Sequence, residues 1–82
     1  MADETERLTA FIKERFVPEP LRERFDETTP LLRSGILDSL STATLVGFIR
    51  REWGVRIPAA AIDPANFADT RAVAALVRRL AD

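Results

Sequence analysis

The sequence predicts an all-α bundle. Apolar residues recur at helical spacing in three stretches, proline and glycine stand where those stretches end, and no β-branched segment alternates with polar residues as a strand would. Residues 1–82 are read as a single domain, because a chain of this length holds one core and no second. Hydrophobic residues make up 46% of it, ample for a packed core and too many for disorder.

The first helix is expected from about residue 4 to 17: Leu8, Phe11, Ile12 and Phe16 share one face, Glu4, Glu6, Arg7, Lys13 and Glu14 fall elsewhere around the wheel, and Pro18 and Pro20 forbid continuation. From Pro18 to Asp38 runs a connection of about 20 residues, long enough for a compact domain to need a reason for it. Its Leu21, Phe25, Leu31, Leu32, Ile36 and Leu37 can pin it to the core. The second helix begins after Asp38, gathers Thr42, Leu45, Val46, Ile49 and Trp53 on one side, and meets a C-terminal stop at Gly54. Beyond it, Val55, Ile57, Ile62 and Phe67 are candidate anchors. Asp63 followed by Pro64 predicts one short helix over residues 64–67. The last helix runs from Asp69, a good N-cap, through Val73, Leu76, Val77 and Leu80. The bundle thus has three long helices and one short one, with a long loop between helices 1 and 2.

Composition removes most chemistry in advance. With no cysteine and no histidine there is no disulfide, no thiolate, no cysteine zinc site and no imidazole base. Nothing pairs a nucleophile with a base, and the neighbours Asp26 and Glu27 read as solvated loop residues, so the chain is expected not to be an enzyme. The 12 basic and 13 acidic residues are interspersed, which argues against a nucleic-acid footprint and a polybasic membrane patch. No apolar run approaches the ~18 to 20 residues of a membrane span, and the start, Met1-Ala2-Asp3-Glu4, is acidic where a signal peptide is basic. A cytoplasmic monomer without nucleic-acid partner or stable membrane insertion is the expectation.

The distinctive segment is Thr29-Pro30-Leu31-Leu32-Arg33-Ser34-Gly35-Ile36-Leu37-Asp38-Ser39-Leu40, which sets a hydroxyl at the start of the second helix, after an acid and before a large apolar residue. A helix N-terminus presents unpaired amides and the positive end of the dipole, so a phosphate esterified to Ser39 would be stabilised there without any basic side chain. On Asp38-Ser39 alone a plain helix cap is the simpler reading, since both are ordinary N-cap residues.

The longer pattern changes that reading. Thr29, Leu31, Gly35, Asp38, Ser39 and Leu40 in this register, with Ile57-Pro58 after the second helix, make the sequence resemble the acyl and peptidyl carrier proteins over nearly the whole stretch from Leu8 to Leu80. The resemblance implies that family's four-helix bundle, and 4'-phosphopantetheine attached to Ser39 by a phosphopantetheinyl transferase, with Asp38 and Leu40 flanking the attachment point. The reactive thiol missing from the chain would then arrive with the cofactor.

Around the second helix, Leu40, Thr44, Gly47 and Arg51 fall within about a third of the circumference, opposite Leu45, Ile49 and Trp53, with Phe48 and Arg50 on the flanks. These six residues, Leu40 to Arg51, form the expected partner-facing surface. Exposed arginines are commonly just solvated. Gly47, however, costs about 1 kcal/mol relative to alanine inside a helix and so invites a contact reason. Carriers of fatty acid synthesis are acidic along this helix, whereas here Glu52 is the sole acid between Leu40 and Trp53, which disfavours partners that dock through basic patches. The wording Ser34-Gly35-Ile36-Leu37-Asp38-Ser39, with Trp53-Gly54-Val55 following, looks instead like freestanding aminoacyl carriers, among them D-alanyl carriers and the discrete carriers of natural-product pathways. The Ala- and Arg-rich composition, typical of GC-rich genomes, fits a natural-product pathway better than cell-wall alanylation. The function implied is a carrier loaded by an adenylation enzyme and emptied by a downstream transferase, synthase or tailoring enzyme. Two alternatives stand beside it: an acyl carrier for polyketide or specialised fatty acyl synthesis, loaded by an acyltransferase, and a small helical protein-interaction module with no prosthetic group.

Overall fold

The computed structural model describes residues 3–81; Met1 and Ala2 of the acidic start, and Asp82, lie outside the described residues. Three α-helices, α1 (Glu4–Phe16), α2 (Ser39–Trp53) and α3 (Thr70–Ala81), are joined by segments that hold two short 3₁₀ helices, Glu19–Arg24 and Ala59–Ala61. No strand occurs among the described residues, and the protein is all-α, a small bundle of the carrier type.

The helix limits follow from caps legible in the sequence. Asp3 accepts the Glu6 amide at 2.9 Å, Glu4 and Glu6 occupy the positive end of α1, and Lys13 and Arg15 the negative end. Val17 then turns extended ahead of Pro18, as the residue before a proline must. Gly54 ends α2 in the left-handed region at φ 69°, its amide donating to the Arg50 carbonyl at 2.9 Å. Asp69 starts α3 by accepting the Ala72 amide at 2.8 Å.

Two elements depart from expectation. The long connection contains the 3₁₀ helix Glu19–Arg24, because the prolines that stop α1 also have the fixed φ that suits a new first turn. Arg22 folds back from it, Nε donating to the Val17 carbonyl at 3.0 Å and Nη2 to the Glu14 carbonyl at 3.1 Å, which satisfies groups that the end of α1 leaves open. The other short helix lies at Ala59–Ala61, started by Pro58, and residues 64–67 form only a turn. Asp63 does accept the Asn66 amide at 2.8 Å and the Phe67 amide reaches the Asp63 carbonyl at 3.2 Å. The turn does not propagate, because Phe67 is drawn into the core and Asp69 begins α3 two residues later.

The core joins Leu8 and Ile12 of α1, Leu45 and Ile49 of α2, and Val73, Ala74, Leu76 and Val77 of α3. The long connection adds Phe25, Leu31 and Leu37; the second connection adds Val55, Ile57 and Phe67. Phe11, Phe16, Val46 and Trp53 pack around this cluster half-buried. Leu80 is exposed, contrary to its place on the apolar stripe, because it lies in the last turn of α3 among exposed Arg78, Arg79 and Ala81, past the buried part of the helix. Ile62, Leu21 and Leu32, read as anchors, are also exposed.

Thr70 is the one buried polar residue among the described residues, and its Oγ1 has no hydrogen-bond partner there. A buried hydroxyl without a partner costs about 1–3 kcal/mol, whereas valine fills the same shape without that penalty. Thr70→Val is therefore expected to raise the free energy of unfolding by about 1 kcal/mol or more in urea denaturation; a destabilised variant would mean the hydroxyl is satisfied in solution.

Candidate functional site

The long connection ends in a series of turns that delivers Ser39 to the surface. The Asp26 amide donates to Thr29 Oγ1 at 2.9 Å and the Thr28 amide to Asp26 Oδ1 at 2.8 Å, a local turn that also accounts for Thr29 in the sequence pattern. Leu31 is fully buried and its amide donates to the Ala68 carbonyl at 2.8 Å, tying the loop to the approach of α3. The Leu37 amide returns to the Leu31 carbonyl at 2.9 Å, and the reversal between them falls on Gly35 at φ 81°, where any side chain would be strained.

Asp38, not Ser39, caps α2. Asp38 Oδ1 accepts the Ser41 amide at 2.9 Å while the Asp38 amide donates to Ser41 Oγ at 2.8 Å, a reciprocal capping box. The Ser41 amide, and after it the Ser41 hydroxyl, hold the Asp38 carboxyl below its ordinary value of 3.8. A carboxyl depressed on folding stabilises the native state above its unfolded value, and that contribution is lost as pH falls through the lower folded value. Asparagine caps comparably but does not titrate. Asp38→Asn is expected to leave helicity at neutral pH unchanged and make acid unfolding below about pH 4 shallower; an unaltered acid transition would remove Asp38 from its cause.

With Asp38 and Ser41 engaged in the cap, the Ser39 hydroxyl is exposed and makes no hydrogen bond among the described residues. The amide of Ser41 is taken by the Asp38 side chain and that of Thr42 by the Asp38 carbonyl at 2.9 Å, and the Leu40 amide also helps to hold the Asp38 carboxyl down, which leaves the Ser39 amide as the first-turn donor at the positive end of α2. Leu40 beside them is 78% exposed.

Along α2 the structure separates residues that the helical wheel treated alike. Arg50 and Arg51 are exposed and have no ion-pair partner among the described residues. Thr44 is half-buried, its hydroxyl donating to the Leu40 carbonyl at 3.2 Å. Gly47 does not lie bare: the Arg51 guanidinium stands 3.5 Å from where a Cβ would be. Phe48 is only half-exposed, stacked on Phe11 with centroids 3.8 Å apart and edge-on to Trp53 at 5.8 Å. Next to it Glu52 pairs with Arg7 of α1. Helix α1 thus covers the Phe48 flank and leaves the Arg50 flank open, so the exposed residues of the expected face are Leu40, Arg50 and Arg51, with Thr44 and Gly47 half-buried between them. Two further arginines lie outside the wheel: Arg33 before the site and Arg56 after α2 are both exposed. The sequence signal for them is the stretch from Pro30 to Pro58, where Arg33, Arg50, Arg51 and Arg56 face only Asp38 and Glu52.

No family model matches the chain. It is similar to a probable acyl carrier protein, PigG, of Serratia sp. (strain ATCC 39006), at 42% identity over 59 residues that span 72% of this chain and 68% of that one. It is also similar to a chain of a crystal structure described as that of an FAD-dependent dehydrogenase, with a TM-score of 0.80 and 39% identity over 87% of this chain and 99% of that chain. The site suits a phosphodiester: it offers an exposed hydroxyl committed to no other bond among the described residues, at the positive end of α2 beside the Ser39 amide. On that sequence identity over two thirds or more of both chains, the protein belongs to the acyl carrier protein family, whose cofactor is 4'-phosphopantetheine.

Proposed function

We propose that this protein is a discrete carrier that holds an aminoacyl or acyl group as a thioester on 4'-phosphopantetheine joined to Ser39 and presents it to biosynthetic enzymes. The observation that carries this is the free Ser39 hydroxyl, left without a capping duty by the Asp38–Ser41 box. When bound, the cofactor supplies the thiol that the chain lacks. The chain's own residues do the rest. The Ser39 amide and the α2 dipole would favour the phosphate, Gly35 shapes the turn that exposes Ser39, and the Leu31 and Leu37 pegs keep that turn on the core. Nothing in this role requires the protein to catalyse a reaction, and we place it in the cytoplasm with its enzymes.

The α2 surface supports an adenylation enzyme of a natural-product pathway as the loading partner, since its free charges are arginines and its one acid besides the cap is occupied by Arg7. A phosphopantetheinyl transferase installs the arm, and a transferase, synthase or tailoring enzyme takes the cargo onward. The likeness to a chain of the solved structure described as an FAD-dependent dehydrogenase, at 39% identity, supports a flavin-dependent oxidation among the tailoring steps.

Coexpression with a broad-specificity phosphopantetheinyl transferase tests the reading. The intact mass is expected to rise by one phosphopantetheine, and Ser39→Ala to remain folded by circular dichroism without any increase. A folded wild-type protein that gains no mass would leave the helical interaction module. Aminoacyl loading by an adenylation enzyme, against malonyl loading by an acyltransferase, then decides between the two kinds of carrier.

A further inference from the structure

The Ser41 hydroxyl does more than a helix cap requires. Its Oγ accepts the Asp38 amide at 2.8 Å, and its hydrogen has two acceptors within reach, Asp38 Oδ1 at 3.0 Å and the Ile36 carbonyl at 3.2 Å. The bonds to Asp38 belong to the capping box, but the one to Ile36 lies outside it, since a box asks nothing of the residue two places before the cap. We propose that Ser41 is a positioning residue for the modification of Ser39: its hydroxyl clamps residues 36–38, the end of the long loop, to the first turn of α2 and so fixes the place of Ser39 Oγ. The proposal rests on attachment of the arm at Ser39.

Ser39 lies in the chain between the groups that Ser41 joins. On the loop side, Leu37 is held from the core, buried and with its amide on the Leu31 carbonyl at 2.9 Å. Ser41 Oγ is the donor that meets the Ile36 carbonyl among the described residues. Without that hydroxyl, the amide of residue 41 still has the Asp38 carboxylate as its cap, so α2 keeps its start. The Asp38 amide and the Ile36 carbonyl, however, exchange a fixed partner for water, which reaches both because Asp38 is exposed and Ile36 partly so. The helix persists and the approach to Ser39 loosens.

That loosening matters because nothing else steers the nucleophile. Ser39 Oγ makes no hydrogen bond among the described residues, and the neighbouring Asp38 carboxylate is taken up by Ser41. In the transfer, Ser39 Oγ bonds to the phosphorus that carries pantetheine and the phosphoanhydride bond of coenzyme A breaks. Adenosine bisphosphate leaves, and the hydroxyl proton passes to a base of the transferase. Reacting atoms must stand about 3–3.5 Å apart, and a misplacement of about 1 Å can cost a hundredfold. The exposed Leu40, Arg50 and Arg51 are untouched by a change at Ser41, so docking is kept while the chemical step slows.

The test compares the full-length wild type with Ser41→Ala, Ser41→Thr and Ser41→Val; threonine and valine share a shape and differ in the hydroxyl. Intact mass follows one turnover with a broad-specificity phosphopantetheinyl transferase and coenzyme A. At saturating transferase, Ser41→Ala and Ser41→Val are expected to react about tenfold more slowly and Ser41→Thr near the wild-type rate, with half-saturation unchanged in all four. Independently of any transferase, exchange of the Asp38 amide hydrogen is expected to be about tenfold faster in Ser41→Ala, while that of Gly54, bonded to the Arg50 carbonyl at the far end of α2, stays the same. Wild-type rates in every variant, equal slowing in Ser41→Thr and Ser41→Val, or a loss confined to half-saturation overturns the role of Ser41 alone. So does a Ser41→Ala chain that fails to fold, which makes the hydroxyl a determinant of the fold instead. A wild-type protein that gains no mass overturns it together with the Ser39 reading.

Discussion

Leu45→Ala is expected to lower the free energy of unfolding by about 3 kcal/mol, within the 2–5 kcal/mol typical of buried leucine truncations. Leu45 is fully buried on the inner stripe of α2, facing Leu8 and Ile12 of α1 and the Val73–Val77 face of α3 within one core cluster. Truncation removes apolar area and leaves a void that a small bundle closes only in part. A loss of this size shifts Tm by roughly 12–24 °C in a domain of 60–100 residues. The counterpart on the outer face of the same helix is Leu40, 78% exposed, whose change to alanine is expected to alter stability by no more than about 0.5 kcal/mol and yet slow loading. Urea denaturation and a loading assay on both variants make the comparison. Equal stability losses would mean that α2 does not present these two faces as described.

The second large effect is electrostatic. Arg50→Glu with Arg51→Glu is expected to lower kcat/KM for the enzyme that loads the carrier about tenfold at low salt, equivalent to about 1.4 kcal/mol, and by much less at high salt. Both side chains are exposed and lack ion-pair partners among the described residues, while the one nearby acid, Glu52, is held by Arg7. The reversal thus acts on a surface whose positive charge has nothing local to offset it. Arg71→Glu on α3, where Arg71 pairs with Glu27, is the control expected to leave loading unchanged. Loading insensitive to the double reversal at every salt concentration would move the docking surface away from α2.

Much of the fold was legible because its signals are local. Asp3, Asp38 and Asp69 cap the three helices, Pro18 and Gly54 end two of them, and the apolar stripes of α1, α2 and most of α3 fall inside. What was misread depends on distant partners. The 3₁₀ helix Glu19–Arg24 is fastened by Arg22 to carbonyls of α1, a bond that no local propensity announces. The expected short helix at 64–67 gave way to a turn because Phe67 is worth more in the core than in another helical residue. Leu80 obeys the helical period and still meets water, since period places a residue on a face without saying how far the neighbouring helices extend.

The same division runs through the site. Sequence alone determined the all-α class, the place of the Asp38-Ser39-Leu40 triplet at a helix start and the excess of arginine around α2, because caps, periodicity and charge are written residue by residue. Tertiary structure decided which of these groups is free. Asp38 and Ser41 take each other and release Ser39. Helix α1 covers Phe48 and neutralises Glu52 while Arg50 and Arg51 stay open. The long loop folds into a wall of apolar side chains, Leu21, Phe25 and Ile36 among them, held to α1 by Arg22. Availability is a property of neighbours, and neighbours far apart in the chain are set only by packing.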